Sequence, residues 1–207
     1  MTFSVEKPNG FTFQSVVLDG SSYFDVRVEH VSVSDDYSFS GWFKSVFEDG
    51  TLFHYKADSP TATLKEMKMW LVLKKVYFER VLQGVVERNF HGSTFSTNTW
   101  YYVSFGIAKS TGTMWVYADD IKVYDKDEGY QDNVAFSLPG TLRIGGTFDN
   151  SVPTLSGFAT CIGFYSYAFP HLSTTNFLCS STSQSSCKYI SMKHYIKISF
   201  ILFLYLL

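Results

Sequence analysis

The chain has 207 residues, enough for one large domain or two small ones. Its 45% hydrophobic and 18% aromatic content excludes intrinsic disorder, because disordered chains are rich in charge and poor in aromatic residues. A formal net charge of −2 argues against a nucleic-acid binder, which needs a basic surface to displace counterions from phosphate. With only 17% charged residues, the composition favours a globular, β-rich domain.

Short strands separated by glycine, proline, aspartate and serine are predicted along most of the chain. Each alternates apolar and polar residues or is rich in β-branched and aromatic side chains. The predicted strands cover residues 11–18, 23–33, 37–43, 51–55, 100–108, 113–123, 142–144 and 158–167. The four residues that link the strands 100–108 and 113–123 indicate a β-hairpin, with Gly112 late in the connection.

Residues 62–83 are open to two interpretations. Some of their apolar residues fit helical spacing, and several of their residues are good helix formers. Against a helix, residues 67–74 alternate with period two, and residues 76–81 are mainly β-branched and aromatic. We therefore favour two strands joined around Lys74 and Lys75.

About a dozen short strands without intervening helices predict an all-β fold, an antiparallel β-sandwich of the jelly-roll type. We expect this domain over residues 11–178, preceded by a lead-in at 1–10 and followed by a Ser-rich linker and short hydrophobic tail at 179–207. The residues expected in the core are Trp42, Val103, Phe105, Val116 and Ile144, together with Trp100 and Trp115.

The last ten residues, 198–207, are nearly all apolar but too few to span a membrane as a helix. They fit a truncated membrane span, a glycolipid-anchor signal or translated non-coding sequence. We favour the third, because lysines interrupt the spacer before them and the N-terminus does not read as a secretory signal. An N-terminus without a secretory signal fits either a cytosolic chain or a piece of a longer protein.

Six segments in chain order carry a common pattern. They read YSFSGWFK at 37–44, DGTLFHYK at 49–56, WYYVSF at 100–105, MWVYAD at 114–119, LRIGG at 142–146 and GFATCIGFYSYAF at 157–169. Together they resemble the laminin G-like and pentraxin-like domains of the concanavalin A-like lectin/glucanase superfamily, over residues 11–178. The sequence departs from the family pattern where Tyr101, Asp120 and Thr160 replace a histidine, a turn glycine and a small residue.

This superfamily includes glycosidases, so a catalytic role must be considered. Glycoside hydrolysis needs two carboxylates that face one glycosidic bond. The Glu-x-Asp-x-x-Glu string of the related glucanases does not occur in the sequence. Asp125 and Asp127 are two residues apart, but the neighbouring charges and Gly129 favour a solvated loop. The five histidines stand singly, and the sequence has no Gly-x-Ser-x-Gly elbow, phosphate-binding loop or His-Glu-x-x-His motif. We therefore expect no enzymatic activity, and a glycoside hydrolase or lyase is the least favoured alternative.

The resemblance implies a non-catalytic ligand-binding module of an extracellular or cell-surface protein, for glycan or protein ligands, with calcium as a possible cofactor. A structural spacer without its own ligand is the alternative. We expect any ligand site on loops at one rim of the sandwich, because loops vary without disturbing the packing. Core packing is favoured for the tryptophans over stacking on a sugar.

In domains of this kind the rim often holds calcium, a hard cation that prefers carboxylate and carbonyl oxygens. The acidic positions that match are Asp58, in the loop after residues 52–56, and Asp132 or Asp127, in the loop before residues 142–146. A turn signal follows Asp58 and would explain that residue without a metal. Asp119 is expected to serve a turn.

The three cysteines, Cys161, Cys179 and Cys187, are too few for a disulfide scaffold and lack the spacing of a zinc site. The resemblance implies that Cys161 pairs with a downstream cysteine, with Cys179 slightly preferred to Cys187. Such a bridge requires an oxidising compartment and hence a secreted or surface location for the parent protein. Three free thiols in a cytosolic fragment are the alternative.

Overall fold

The computed structural model describes residues 2–9, 14–28, 37–62, 64–108, 113–119, 121–127 and 139–165. These residues contain thirteen strands and no helix. The strands are β1 (Thr2–Ser4), β2 (Ser15–Asp19), β3 (Phe24–Val28), β4 (Tyr37–Ser45), β5 (Gly50–Ala57), β6 (Leu64–Val72), β7 (Lys75–Leu82), β8 (Val85–Thr94), β9 (Trp100–Ala108), β10 (Thr113–Ala118), β11 (Ile121–Asp127), β12 (Gly140–Ile144) and β13 (Ser156–Tyr165).

The strands form two antiparallel sheets that pack face to face. Sheet A has the order β1-β2-β13-β4-β9-β10-β11, and sheet B has the order β3-β12-β5-β6-β7-β8. Strands distant in the sequence are neighbours in both sheets, as in a jelly roll, so the predicted fold is confirmed. The short β1 pairs with β2 at the edge of sheet A, which places part of the expected lead-in within the sheet.

The two strands predicted within residues 62–83 are also confirmed. Strands β6 and β7 pair directly, and the turn between them consists of Leu73 and Lys74. Both turn residues have positive φ, 49° and 66°, as a two-residue hairpin turn of the primed type requires. The period-two alternation was thus the correct signal, because a helix would have buried a different set of side chains.

Two predictions for residues 113–129 are wrong. The single strand expected at 113–123 is two strands, β10 and β11, because the chain turns at Asp119 with a φ of 50°. Asp119 accepts a hydrogen bond from the Tyr102 N–H at 2.7 Å, which confirms its role in a turn. The solvated loop expected around Asp125 and Asp127 is instead the second half of β11, paired with β10.

The core lies between the two sheets and is centred on three phenylalanine rings. Phe39 and Phe105 from sheet A lie 5.5 Å apart, and Phe53 from sheet B lies 4.9 Å from Phe39 and 5.5 Å from Phe105. All three side chains are fully buried. The core positions predicted correctly are Val103, Phe105, Val116 and Ile144.

The tryptophan predictions are wrong. Trp42, Trp100 and Trp115 occupy strand positions that alternate with the core residues, so they lie on the outer face of sheet A. Trp42 and Trp100 are half-buried, and the Trp42 ring lies 5.5 Å from the Tyr102 ring. Trp115 is buried, but against its own sheet rather than between the sheets.

Within the described residues, no helix is long and apolar enough to cross a membrane. The expectations for the tail at 198–207 and for the linker before it lie outside the described residues.

We expect Phe53→Ala to lower the free energy of unfolding by about 3–5 kcal/mol, because it opens a cavity where both sheets meet. Phe47→Ala is the matched control: this side chain is 62% exposed, and we expect a loss of no more than about 0.5 kcal/mol. Urea unfolding followed by circular dichroism measures both variants. Similar losses for the two variants would contradict the assignment of the core.

Candidate functional site

Asp58, the first residue predicted to bind calcium, is held by an arginine. Both carboxylate oxygens of Asp58 accept hydrogen bonds from the guanidinium of Arg27 at the end of β3. This contact lowers the pKa of Asp58 below its ordinary value. The carboxylate is exposed, but a cation that binds it must compete with Arg27.

Asp127, the second predicted metal ligand, lies in sheet A, whereas Asp58 follows a strand of sheet B. Asp127 is the last residue of β11 and pairs with Thr113. Strand β11 contacts β7 and β8, whereas Asp58 follows β5, two to three strands away in sheet B. Asp132 lies outside the described residues, and so the calcium site stays a prediction.

No group of three or more His, Cys, Asp or Glu residues suited to a metal ion occurs among the residues that the structure describes. Cys161 lies in β13, where the pairing with β4 shifts register. Its predicted partners, Cys179 and Cys187, both lie outside the described residues, so the pairing stays a prediction.

A row of polar side chains crosses the outer face of sheet B. Residues of this face alternate with core residues along each strand, and the antiparallel register aligns one from each strand. From β3 to β8, the row consists of Asp25, Arg143, His54, Lys68, Glu79 and Arg88. Six neighbouring strands thus present one continuous line of ionisable groups.

Four charges form a network in the half of this row nearest β8. The Lys68 ammonium lies 3.0 Å from Glu79 and 3.6 Å from Asp149, a residue of the β12–β13 loop. Arg88 donates two hydrogen bonds to the same Glu79 oxygen, at 2.8 and 2.5 Å. Burial favours protonation of Glu79, but Lys68 and Arg88 outweigh it and lower the pKa. We call Lys68, Glu79, Arg88 and Asp149 the charge quartet.

The β12–β13 loop lies over the same face. The Phe148 N–H donates to Nδ1 of His54 at 3.1 Å, and the Phe148 ring packs edge-on against the imidazole. The Arg143 guanidinium lies 4.3 Å from the Phe148 ring centroid and donates to the Thr147 carbonyl. Ser151 accepts a hydrogen bond from Lys68 at 3.3 Å. Residues 147–151 are therefore fixed to β12, β5 and β6, and we call them the covering loop.

His54 is buried beneath the covering loop, with 1% of its surface exposed. Because Nδ1 accepts the Phe148 N–H, the neutral imidazole carries its hydrogen on Nε2, which lies 3.7 Å from a Glu66 carboxylate oxygen. Burial is the main cause that lowers the pKa of His54, to about 4, although Glu66 opposes it. At neutral pH the imidazole is a neutral hydrogen-bond acceptor for the loop.

An aromatic row lies beside the charge quartet on the same face. The register of β6, β7 and β8 aligns Trp70 with Tyr77 and Tyr77 with Phe90. Successive rings stack with centroids 5.6 Å apart. Lys68 and Arg88 lie over the Trp70 ring, at 5.5 and 5.8 Å from its centroid.

The aromatic row opens to solvent at one end. Trp70 is 6% exposed, Tyr77 is half-buried and Phe90 is 60% exposed. Strand β8 is the last in the order of sheet B, so Phe90 lies at an edge of the sheet. The quartet and the aromatic row together form the candidate site, which we call the β7–β8 face.

One rim of the sandwich holds a small cavity. It is lined mainly by apolar side chains from both sheets and has a volume of about 10 Å³. This volume is about that of one water molecule, and too small for a sugar ring. The lining includes Phe43, Leu52, Leu71, Phe95, Tyr101 and Val103. The expectation of a ligand site on rim loops stays a prediction, whereas the β7–β8 face is a candidate site that the sequence patterns did not indicate.

A scan of the sequence against protein-family models and a search of curated proteins find no match. Solved structures with a similar fold include a native heptameric SAP-like pentraxin from Limulus polyphemus. The TM-score is 0.55 at 14% identity, over 75% of this chain and 77% of the pentraxin chain.

Domains LG4-5 of the mouse laminin alpha1 chain give a TM-score of 0.59 at 10% identity, over 80% of this chain and 45% of theirs. The CBM40 of a Ruminococcus gnavus IT-sialidase, bound to alpha2,3 sialyllactose, gives a TM-score of 0.53 at 10% identity. The match covers 75% of this chain and 91% of the CBM40 chain. At these identities the likeness shows the fold alone. The chain therefore has the concanavalin A-like jelly-roll fold that the resemblance implied.

We expect the free energy of unfolding to fall as the pH drops from 6.5 towards 4. Unfolded His54 takes up a proton near its ordinary pKa of 6.5, whereas the folded imidazole resists protonation until about pH 4. Linkage then removes up to about 3 kcal/mol across this window.

Urea unfolding at pH 7.0, 6.0 and 5.0 measures this slope. His54→Gln offers an acceptor to the Phe148 N–H without titrating, so its curve should be flatter than the wild-type curve. Parallel curves for the two proteins would contradict the assigned state of His54.

Proposed function

We propose that the chain is a non-catalytic module that binds a saccharide on the β7–β8 face. The observation that carries this proposal is the aromatic row, which opens at Phe90 beside a group of paired charges. A surface phenylalanine at the edge of a sheet has no part in the core, and exposed aromatic groups next to polar ones are typical of binding surfaces.

The chemistry of the face suits a sugar. Pyranose rings carry apolar C–H faces that pack on aromatic rings, and Tyr77 and Phe90 supply such surface. Sugar hydroxyls both donate and accept hydrogen bonds. Arg88 supplies exposed donors, and Asp149 supplies an exposed carboxylate acceptor on the other side of the quartet. The face thus offers apolar, donor and acceptor groups close together.

The neighbours of similar fold support a ligand-binding module. One of them, the CBM40, is described in complex with sialyllactose, and another is a laminin domain pair. Fold alone does not fix function, so the argument depends on the side chains of the face. A spacer domain would not need Phe90 to be exposed.

The carboxylates of the face support a non-catalytic role. Glycoside hydrolysis needs a carboxylic acid whose pKa is raised so that it can donate a proton near neutral pH. Burial works in that direction for Glu79 and Asp149, but the ion pairs of Glu79 and the hydrogen bonds of Ser151 to Asp149 dominate. Both pKa values are lowered, so neither group is a suitable general acid.

An extracellular or cell-surface location is part of the proposal. Disulfide bonds persist in oxidising compartments, and the bridge proposed for Cys161 would need such a compartment. Glycan ligands of binding modules are also abundant outside the cell. Both considerations support the location that the resemblance implied.

We expect the chain to bind a subset of glycans on an array and to lose at least about tenfold in signal on Phe90→Ala or Tyr77→Ala. Removal of a dominant aromatic residue from a binding surface costs roughly 2 kcal/mol or more, which corresponds to at least this factor. Phe47→Ala, an exposed phenylalanine in the β4–β5 connection, is the control and should bind as the wild type does. An array without signal, or binding that survives both substitutions, would favour the spacer or another surface.

Calcium is a separate proposal for the rim at Asp58 and Asp127 or Asp132. Because Arg27 already neutralises Asp58, we expect only weak binding, in the millimolar range typical of sparse ligand sets. Calorimetric titration of calcium into the wild type and into Asp58→Ala measures it. Heat that is absent, or unchanged by the substitution, would remove calcium from the proposal.

A further inference from the structure

We propose that the β7–β8 face selects neutral saccharides over those that carry a carboxylate or a sulfate. This inference rests on the proposed function and adds the substrate class. It follows from how the charges of the quartet are paired, since an anionic ligand needs a cation that has no other anion beside it.

Three oxygen atoms surround the Lys68 ammonium group. The Glu79 carboxylate lies at 3.0 Å and Ser151 accepts a hydrogen bond at 3.3 Å, and the Asp149 carboxylate forms an ion pair at 3.6 Å. The side chain is almost completely buried between them. An anion would have to displace one of these partners and would remain close to the other carboxylate.

Arg88 is accessible but already neutralised. Its side chain is 61% exposed, and two of its donors bind one oxygen of Glu79. The remaining guanidinium hydrogens are available to a ligand, yet any group that accepts them lies next to the Glu79 carboxylate. A second carboxylate at this position would meet like charge, whereas a hydroxyl would not.

The quartet as a whole has no net charge, because two cations, Lys68 and Arg88, balance two anions, Glu79 and Asp149. Hydrogen bonds from Ser151 outweigh the burial of Asp149 and lower its pKa, so the balance holds at neutral and mildly acidic pH. Lys75, at the start of β7, is an exposed cation on the same strand as Tyr77. The experiment must therefore test whether Lys75, rather than the quartet, sets the selectivity.

Hydroxyl groups fit this arrangement without disturbing it. A hydroxyl can accept from Arg88 and donate to Asp149, so a neutral sugar can use both kinds of group at once. An anionic substituent can use only the donors, because a carboxylate or sulfate has no hydrogen to donate to Asp149. The same paired charges that repel an anion thus provide complementary contacts for a polyol.

The test is a glycan array in which each core is present in three matched forms: neutral, sialylated and sulfated. The full chain is applied after it has been clustered through a biotin tag. We expect the neutral form of a bound core to give a signal at least about tenfold above either anionic form. We also expect neutral binding to be the same in 50 and 500 mM NaCl, because no net charge is neutralised.

Two substitutions that remove one anion each should relax the selectivity. We expect Asp149→Asn and Glu79→Gln to raise the signal of the anionic forms severalfold relative to the neutral form. Asp149 is half-exposed, so its variant provides the test if Glu79→Gln, which alters a buried pair, fails to fold. Lys75→Gln is the matched control and should leave the ratio unchanged.

The outcomes separate the two proposals. Anionic forms that bind as well as neutral ones, with binding lost in Phe90→Ala, would overturn the selectivity and leave the proposed site standing. A ratio that changes with Lys75→Gln and not with Asp149→Asn would assign selectivity to Lys75 and overturn the role of the quartet. Glycan binding that Phe90→Ala does not weaken, or no binding to any form, would overturn the proposed function and this inference with it.

Discussion

The ammonium group of Lys68 connects three separate parts of the chain at the centre of the outer face of sheet B. It projects from β6, pairs with Glu79 on β7 and reaches Asp149 and Ser151 in the covering loop. Removal of one partner from such a buried pair leaves an uncompensated charge, which is far more costly than the pair itself is stabilising. The ionisation of Glu79 depends on this contact, and the position of the covering loop depends on it together with the contacts of His54 and Arg143.

Period-two alternation made most of the fold predictable, because it marks which residues share a face of a strand. Val103 and Phe105 were correctly expected in the core for this reason. Alternation does not say which face points inward, and the large aromatic area of Trp42 and Trp115 argued for the wrong one. The structure explains how Trp115 is buried on the outer face. A Cβ at Gly106 would lie 2.1 Å from the Trp115 ring, so the glycine leaves room for the indole to pack on its own sheet.

The β7–β8 face could not be predicted, because it depends on register between strands rather than on any one segment. Trp70, Tyr77 and Phe90 come together only when β6, β7 and β8 are paired as observed. Strand β8 was missed since its charged and small residues weaken the strand signal. The sequence did contain a hairpin signal, the glycine of the two-residue connection Gln83-Gly84. In the structure these residues have φ values of 50° and 81°, which fit a primed hairpin turn.

The exposure of Phe90 has a physical cost that bears on its role. Edge strands with apolar side chains are sites of unwanted pairing between molecules, and proteins usually protect them with charge. Strand β8 has such protection in Arg88, two residues from Phe90 and on the same face, yet the phenylalanine remains largely uncovered. Arg88 is itself held by Glu79, so the protecting cation is fixed in place rather than free to fold over the ring. An exposed ring beside an immobilised guanidinium would lose little side-chain entropy on binding a ligand, which supports the proposed site.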